Sequence, residues 1–294
     1  MSRTLIAALL STAVLAGFSG AVQAQSVPKA TLCTGPTSLR YFTVGQQLVA
    51  QFRGIVDLKV VESTGSIENL DRISDPKRAD RCDMALTQGD ALIAYPKLDP
   101  AASFSVKVVQ PLYQEPVHFI CNTDRAKGVD RVVDLMKRND VRLGIGEPGA
   151  GTQATWATAV SIEKRYETVP TVPVGGDEGL SDLISGKIGC MIVVAGQNSR
   201  LIQDANEAAK RGAHLSIINY DDRDIKNAVY DGMKVYEETE LPKSGNYYYL
   251  TGHSKPDTLS TPATLVVSQD WYAANKGRTY NDLLRAVRGF APAN

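Results

Sequence analysis

The spacing of its apolar residues restricts this chain more than any other feature. Runs of four or five, short enough to be single strands, alternate with stretches in which apolar residues return every three or four positions. A chain that keeps exchanging a strand period for a helix period reads as successive βαβ units around a largely parallel sheet. A strand over 30–33 leads through a polar loop to a helix whose face is Phe42, Leu48, Val49 and Phe52. A strand over 58–61 leads to a helix carrying Ile67, Leu70 and Ile73, and a strand over 84–87 to a short helix from Asp90. The extended stretch 106–120, interrupted by Pro111 and Pro116, reads as a crossing between two lobes. Beyond it the spacing predicts helices near 132–136, from Thr152, over 180–184, near 201–209 and near 225–233, then a closing one with Tyr280, Leu283, Leu284, Val287 and Phe290. Strands are expected over 141–145, 168–174, 191–195, 215–218 and 263–267. Two phrases echo each other: Cys82 to Gly89 and Cys190 to Gly196 both run from Cys through an apolar strand to a small or amide residue. That echo points to two α/β lobes whose strand ends meet in a cleft, the place where open α/β sheets take ligands.

Composition then removes function classes. The 294 residues carry 32 Lys+Arg against 32 Asp+Glu, with 43% apolar residues. Such a chain has material for a core but lacks the basic surplus that displaces counterions from nucleic-acid phosphates. His118, His214 and His253 are scattered, and no CxxC pair exists, so neither a metal nor a cofactor is expected. At the N-terminus, Arg3, the apolar stretch 5–18 and Val22-Gln23-Ala24 follow the three-part pattern of a secretory signal cut after Ala24. The stretch is shorter than the roughly 20 apolar residues that cross a bilayer, and no later segment is apolar enough to do so. The expected mature protein is exported, not membrane-spanning, and close to neutral.

Export sets the reading of Cys33, Cys82, Cys121 and Cys190. In an oxidising compartment an even count reads as disulfides. Four cysteines allow three connectivities. Local context, with Cys82 and Cys190 opening apolar runs that Cys33 and Cys121 close, favours Cys33–Cys82 and Cys121–Cys190.

Several stretches carry binding chemistry. Gly144-Ile145-Gly146-Glu147-Pro148-Gly149-Ala150-Gly151-Thr152 contains a formal GxGxxG between a strand and a helix. Glu147 would face a pyrophosphate with a like charge and Pro148 removes a donor, which argues against a dinucleotide. What remains is a tight turn, or a helix start where Gly149, Gly151 and Thr152 present N–H groups to a carboxylate or phosphate. Ser63-Thr64-Gly65-Ser66-Ile67-Glu68-Asn69 is a second such start, in which Thr64 or Ser66 either caps the helix or faces a ligand. Arg40, in a polar loop after the first strand, suits a carboxylate or simply solvent. Gln88, Asp90 and Gln197 fall just past strand ends, where amides and carboxylates hold an amino-acid-like solute. Trp156 and Tyr247 to Tyr249 line either a cleft or a core. No GxSxG or HExxH motif is present, and the one conceivable nucleophile, Cys33 with His118 as base, competes with its disulfide.

Set side by side, these stretches resemble the TAXI family, the TRAP-associated extracytoplasmic immunogenic solute-binding proteins. The matching phrases are Cys33-Thr34-Gly35 with Tyr41-Phe42 and Gly45, Ser63 through Leu70, Cys82 through Ala91, Pro111 through His118, Gly144 through Thr152, and Gly186 through Gly196. The resemblance implies a type II periplasmic-binding-protein fold: two α/β lobes joined by two crossing strands around a central ligand cleft. The lobes would be 25–113 plus 197–294 and 114–196, after a signal peptide over 1–24. It further implies a non-enzymatic periplasmic protein that hands a small anionic solute, glutamate-like or a dicarboxylate, to a TRAP-type permease. A periplasmic sensor or adaptor for a membrane receptor is the alternative use of the same cleft. Carried over by motif, contacts would come from Thr34, Gly35, Tyr41, Thr64, Ser66, Asn69, Gln88, Gly151 and Thr152, with Arg40, Asp90, Gly149 and Gln197 added from their positions. Arg40 stands where the family loop usually has Gly, and Gln197-Asn198 replace an aromatic-Pro pair.

Overall fold

In the computed structural model, residues 26–292 are described apart from 38, 99–104, 228, 231–232 and 253. The expected signal peptide over 1–24 and His253 lie outside the described residues. The first lobe is built from β1 (Lys29–Cys33), α1 (Arg40–Gln51), β2 (Asp57–Val61), α2 (Ser66–Ser74), β3 (Met84–Gln88) and α3 (Ala91–Leu98). β1 lies between β2 and β3 and pairs parallel with both, as the βαβ spacing predicts. β4 (Val106–Asn122) is a 17-residue strand that leaves this lobe for the second.

The second lobe contains β5 (Leu143–Gly144), α4 (Gly151–Ile162), β6 (Thr171–Val172), α5 (Gly176–Ile184), β7 (Cys190–Val194), α6 (Arg200–Lys210) and β8 (Leu215–Ile218). After a one-turn helix α7 (Arg223–Lys226) and a small hairpin, β9 (Val229–Tyr230) with β10 (Met233–Lys234), come β11 (Glu237–Glu240) and the long β12 (Asp257–Ser268). Helices α8 (Gln269–Asn275) and α9 (Arg278–Arg288) end the chain.

The strands order as β2-β1-β3-β12-β4-β7-β5-β6, with β8 on β4 and β11 on β12. β4 and β12 are the two crossing strands. The first half of β4 pairs antiparallel with β12, and its second half pairs with β7 and β8. Where Pro111 takes a place in the ladder the register slips by a residue, as expected for a residue without an N–H. This is the two-lobed α/β architecture with two crossing strands implied by the sequence.

Some local expectations differ. The strand expected over 168–174 shrinks to two residues because Pro170 and Pro173 flank it and cannot donate to a ladder. The helix expected near 225–233 stops at Lys226 and gives way to the hairpin. β8 pairs with the second half of β4, and α6 packs with α5.

Each lobe has its own core, and a further cluster joins them. Leu32, Leu48, Phe52, Leu86, Leu265 and Leu283 are fully buried in the first lobe, the last from the periodic face of α9. The second lobe packs both faces of its sheet, Phe119, Leu143 and Tyr166 on one side, Ile120, Leu183 and Ile202 on the other. Ala154 of α4 sits among Leu70, Ile73, Ala91 and Ala94 of the first lobe. Both favoured disulfides are present, Cys33–Cys82 and Cys121–Cys190. No helix among the described residues is long and apolar enough to cross a membrane.

Candidate functional site

A cavity of about 390 Å³ lies between the lobes at the carboxyl ends of their parallel strands. The starts of four helices converge on it: Arg40 of α1, Ser66 of α2, Gly151 of α4 and Gly176 of α5 all line its wall. A helix start carries a partial positive charge, and where its N–H groups meet no acceptor it favours an anion.

Two of these starts were singled out from sequence, and the fold treats them differently. At α2 the N–H groups of Ile67 and Glu68 donate to the Gly149 carbonyl at 3.0 and 3.1 Å. The lobes therefore touch here, backbone to backbone. Gly65, at φ 135°, makes this possible, since a Cβ on it would stand 3.3 Å from the Gly151 nitrogen. At α4 the residue before the helix, Ala150, offers no side-chain cap, and no acceptor meets the Gly151 and Thr152 N–H groups among the described residues. The α4 start is open to the cavity.

Of the residues named from sequence, Gly35, Arg40, Tyr41, Thr64, Ser66, Gln88, Gly151 and Thr152 line the cavity. Thr34, Asn69, Asp90, Gly149 and Gln197 do not. Thr34 is buried, donating through its hydroxyl to the Val61 carbonyl. Asn69 braces the wall from behind: its amide donates to the carbonyls of Thr34 and Leu86 and accepts from the Ser63 hydroxyl. Asp90 is fully buried between lobes, accepting from Thr155 Oγ1 at 2.7 Å and Tyr236 Oη at 2.9 Å. Gln197 is exposed where the chain turns from β7 toward α6. Trp156 and Tyr247 are buried in the second lobe's cores, while Tyr248 and Tyr249 are exposed. His118 is buried, pinned between the Val193 carbonyl and Tyr247 Oη, and burial pushes it down to about 4, so it stays neutral. Cys33 is committed to its disulfide, which removes the thiol nucleophile.

The side chain that sequence reasoning missed is Glu115. It lies on β4, 2% exposed, and lines the cavity. Burial pushes its carboxyl up to about 8, against the opposing pull of the Tyr41 hydroxyl and the Arg40 charge. The available signal was a carboxylate directly before the run that begins at Pro116-Val117, which is buried throughout. Arg40 stacks over Tyr113 with its guanidinium carbon 4.6 Å from the ring centre. It reaches the second lobe at Gly196, where a Cβ would come within 2.5 Å of Nη1. Arg40 Nε, Gln88 Oε1 and Glu115 Oε2 are all buried without a hydrogen-bond partner.

The brace gives a direct test of how this wall is held. Asn69→Leu takes the amide donor from the buried carbonyls of Thr34 and Leu86 and leaves the Ser63 hydroxyl only its longer bond to the Thr34 carbonyl. We expect a loss of about 3 kcal/mol in urea denaturation, since each orphaned buried group costs roughly 1–3 kcal/mol. A loss under about 1 kcal/mol would show that the Thr34 loop does not depend on this amide.

No functionally curated protein matches the chain. Among solved structures, it is similar to an amino-acid ABC-transporter substrate-binding protein from Streptococcus pneumoniae bound to L-arginine. The identity there is 12%, the coverage 88% of this chain and 87% of that one, and the TM-score 0.48. The GluR0 ligand-binding core in complex with L-glutamate shares 8% identity over 90% and 92% of the two chains, with a TM-score of 0.49. A TctC solute-binding protein from Polaromonas shares 15% over 89% and 82%, with a TM-score of 0.46. The sequence profile of the NMT1-like family matches residues 32–274, most of the chain, and the chain belongs to that family.

Proposed function

We propose that this chain is a non-enzymatic solute-binding protein, exported to the periplasm, that captures a small carboxylate-bearing solute for a TRAP-type permease of the TAXI class. The observation that carries the reading is the uncapped start of α4 opening, together with Arg40, into the cavity between two lobes. Backbone N–H groups at a helix start and a guanidinium are the donors a carboxylate takes best. A solute bound there touches both lobes and so favours the closed population.

Thermal shift against amino acids and di- or tricarboxylates tests this. Ligand at about 100 times its Kd should stabilise by roughly 2.7 kcal/mol. Silence across every carboxylate would reject the reading. Arg40→Ala should weaken the best ligand about 100-fold, the loss of a charge-assisted hydrogen bond of roughly 2.7 kcal/mol. An unchanged Kd would place the carboxylate elsewhere. Export is tested separately, by a mature N-terminus at Gln25 in the periplasmic fraction.

A further inference from the structure

Resting on that reading of the cavity, the distribution of charge and acceptors within it says more about the solute. Arg40 is the only cationic side chain among the described lining residues. The second lobe's wall is apolar where β7 ends, formed by Ile192, Val194, Ala195 and Leu201. Glu147, the charged side chain on that side, is exposed and repels an anion. A second carboxylate would therefore find no second cation, and against the end of β7 it would face an apolar wall with the like charge of Glu147 on the same side. The end of β3 and the crossing strand β4 present two buried oxygens to the same cavity, Gln88 Oε1 and Glu115 Oε2, on side chains 3% and 2% exposed. A buried oxygen without a partner calls for a donor on the ligand. The buried Glu115 carboxyl, protonated near neutral pH in the ligand-free fold, releases its proton when a cationic donor pairs with it. A dicarboxylate ionised at neutral pH brings none.

We propose that the solute is a monocarboxylic amino acid with an apolar side chain. Its carboxylate meets Arg40 and the α4 start, its ammonium meets Gln88 and Glu115, and its side chain lies against Ile192, Val194 and Leu201.

Titration calorimetry on the intact mature protein tests this with L-leucine, L-valine, L-methionine, L-phenylalanine, L-glutamate, glutarate and 4-methylpentanoate, the last being leucine without its amino group. One of the apolar amino acids should bind at least tenfold more tightly than glutamate. Among the deaminated probes, 4-methylpentanoate should bind about 100-fold more weakly than leucine. Glu115→Gln, which keeps the shape but not the ionisable acceptor, should narrow the leucine to 4-methylpentanoate ratio about tenfold. Glutamate or glutarate binding more tightly than every apolar amino acid would overturn the inference and leave the carboxylate site standing. Equal affinity for leucine and 4-methylpentanoate would overturn the role of the two acceptors. Failure of all these probes to bind would overturn the inference, while the reading beneath it falls only with silence across every carboxylate in the thermal-shift panel.

Discussion

The ligand-free protein should lose stability as pH rises from about 4.5 to 8, and Glu115→Gln should flatten most of that slope. The Glu115 carboxyl is held at about 8 in the fold against an ordinary value of 4.5, mainly by burial. The folded state thus keeps a proton that the unfolded chain has released. With more protons on the native form, stability is full below about 4.5, falls through the interval, and levels off above 8. At 1.36 kcal/mol per unit, the whole displacement is worth about 5 kcal/mol, and the part between pH 6 and 8 about 3 kcal/mol. Asp90 acts in the same direction over a lower window, since burial holds it at about 6 against 3.8, despite the hydrogen bonds from Thr155 and Tyr236. Its contribution is complete by about pH 7, and His118, held at about 4 by burial against 6.5, acts in the opposite direction up to about pH 6.5. Glu115 is therefore read from the part of the slope between 6 and 8 that Glu115→Gln removes. Urea denaturation at pH 6 and 8 with disulfides intact reads the difference. A wild-type protein equally stable at both values, or a Glu115→Gln variant with an unchanged slope, would show that this carboxyl is already ionised in the empty cavity.

The same residue shows where sequence reading stops. Strands and helices were legible wherever the contrast between apolar and polar positions is local: β1 through α3 and β7 through β8 fall close to their expected ranges. β11, spelled Glu237 to Glu240, has no apolar residue and exists because β12 offers it a pairing edge. No period in its own sequence announces it. Eight of the residues named for the site line the cavity, because strand ends and helix starts are where this architecture places its ligands. Local chemistry did not separate residues that face the cavity from those one layer behind it. Asn69 and Ser66 belong to the same motif, yet the helical turn aims Ser66 at the cavity and Asn69 at the Thr34 and Leu86 carbonyls. The two helix starts looked alike in sequence. Their difference depends on the Gly149 carbonyl, which arrives from about 80 residues away and closes one of them. Gln197 echoed Gln88 in sequence, but β7 turns outward into α6 and leaves it exposed.

Removing either disulfide should cost about 4 kcal/mol, comparable with the largest effects expected from the cavity. Cys33–Cys82 closes a loop of separation 49 and Cys121–Cys190 one of 69. In the chain-entropy account, loops of this length take about 4 kcal/mol from the unfolded ensemble, the longer one only a few tenths more. The near equality of the two losses is itself informative, because the bridges sit in different surroundings. Cys33–Cys82 ties the end of β1, two residues before the cavity-lining Gly35, to the residue pair before β3. Cys121–Cys190 joins directly paired positions of β4 and β7, where the sheet ladder already holds the strands together. If the effect lies in the unfolded chain, Cys33→Ala/Cys82→Ala and Cys121→Ala/Cys190→Ala lose similar stability in urea, and reduction of the wild type loses about the sum. If the native contacts dominate, the β4–β7 variant loses little because its ladder survives, and the β1–β3 variant loses ligand affinity along with stability. A Cys121→Ala/Cys190→Ala loss below about 1 kcal/mol would exclude the unfolded-chain explanation.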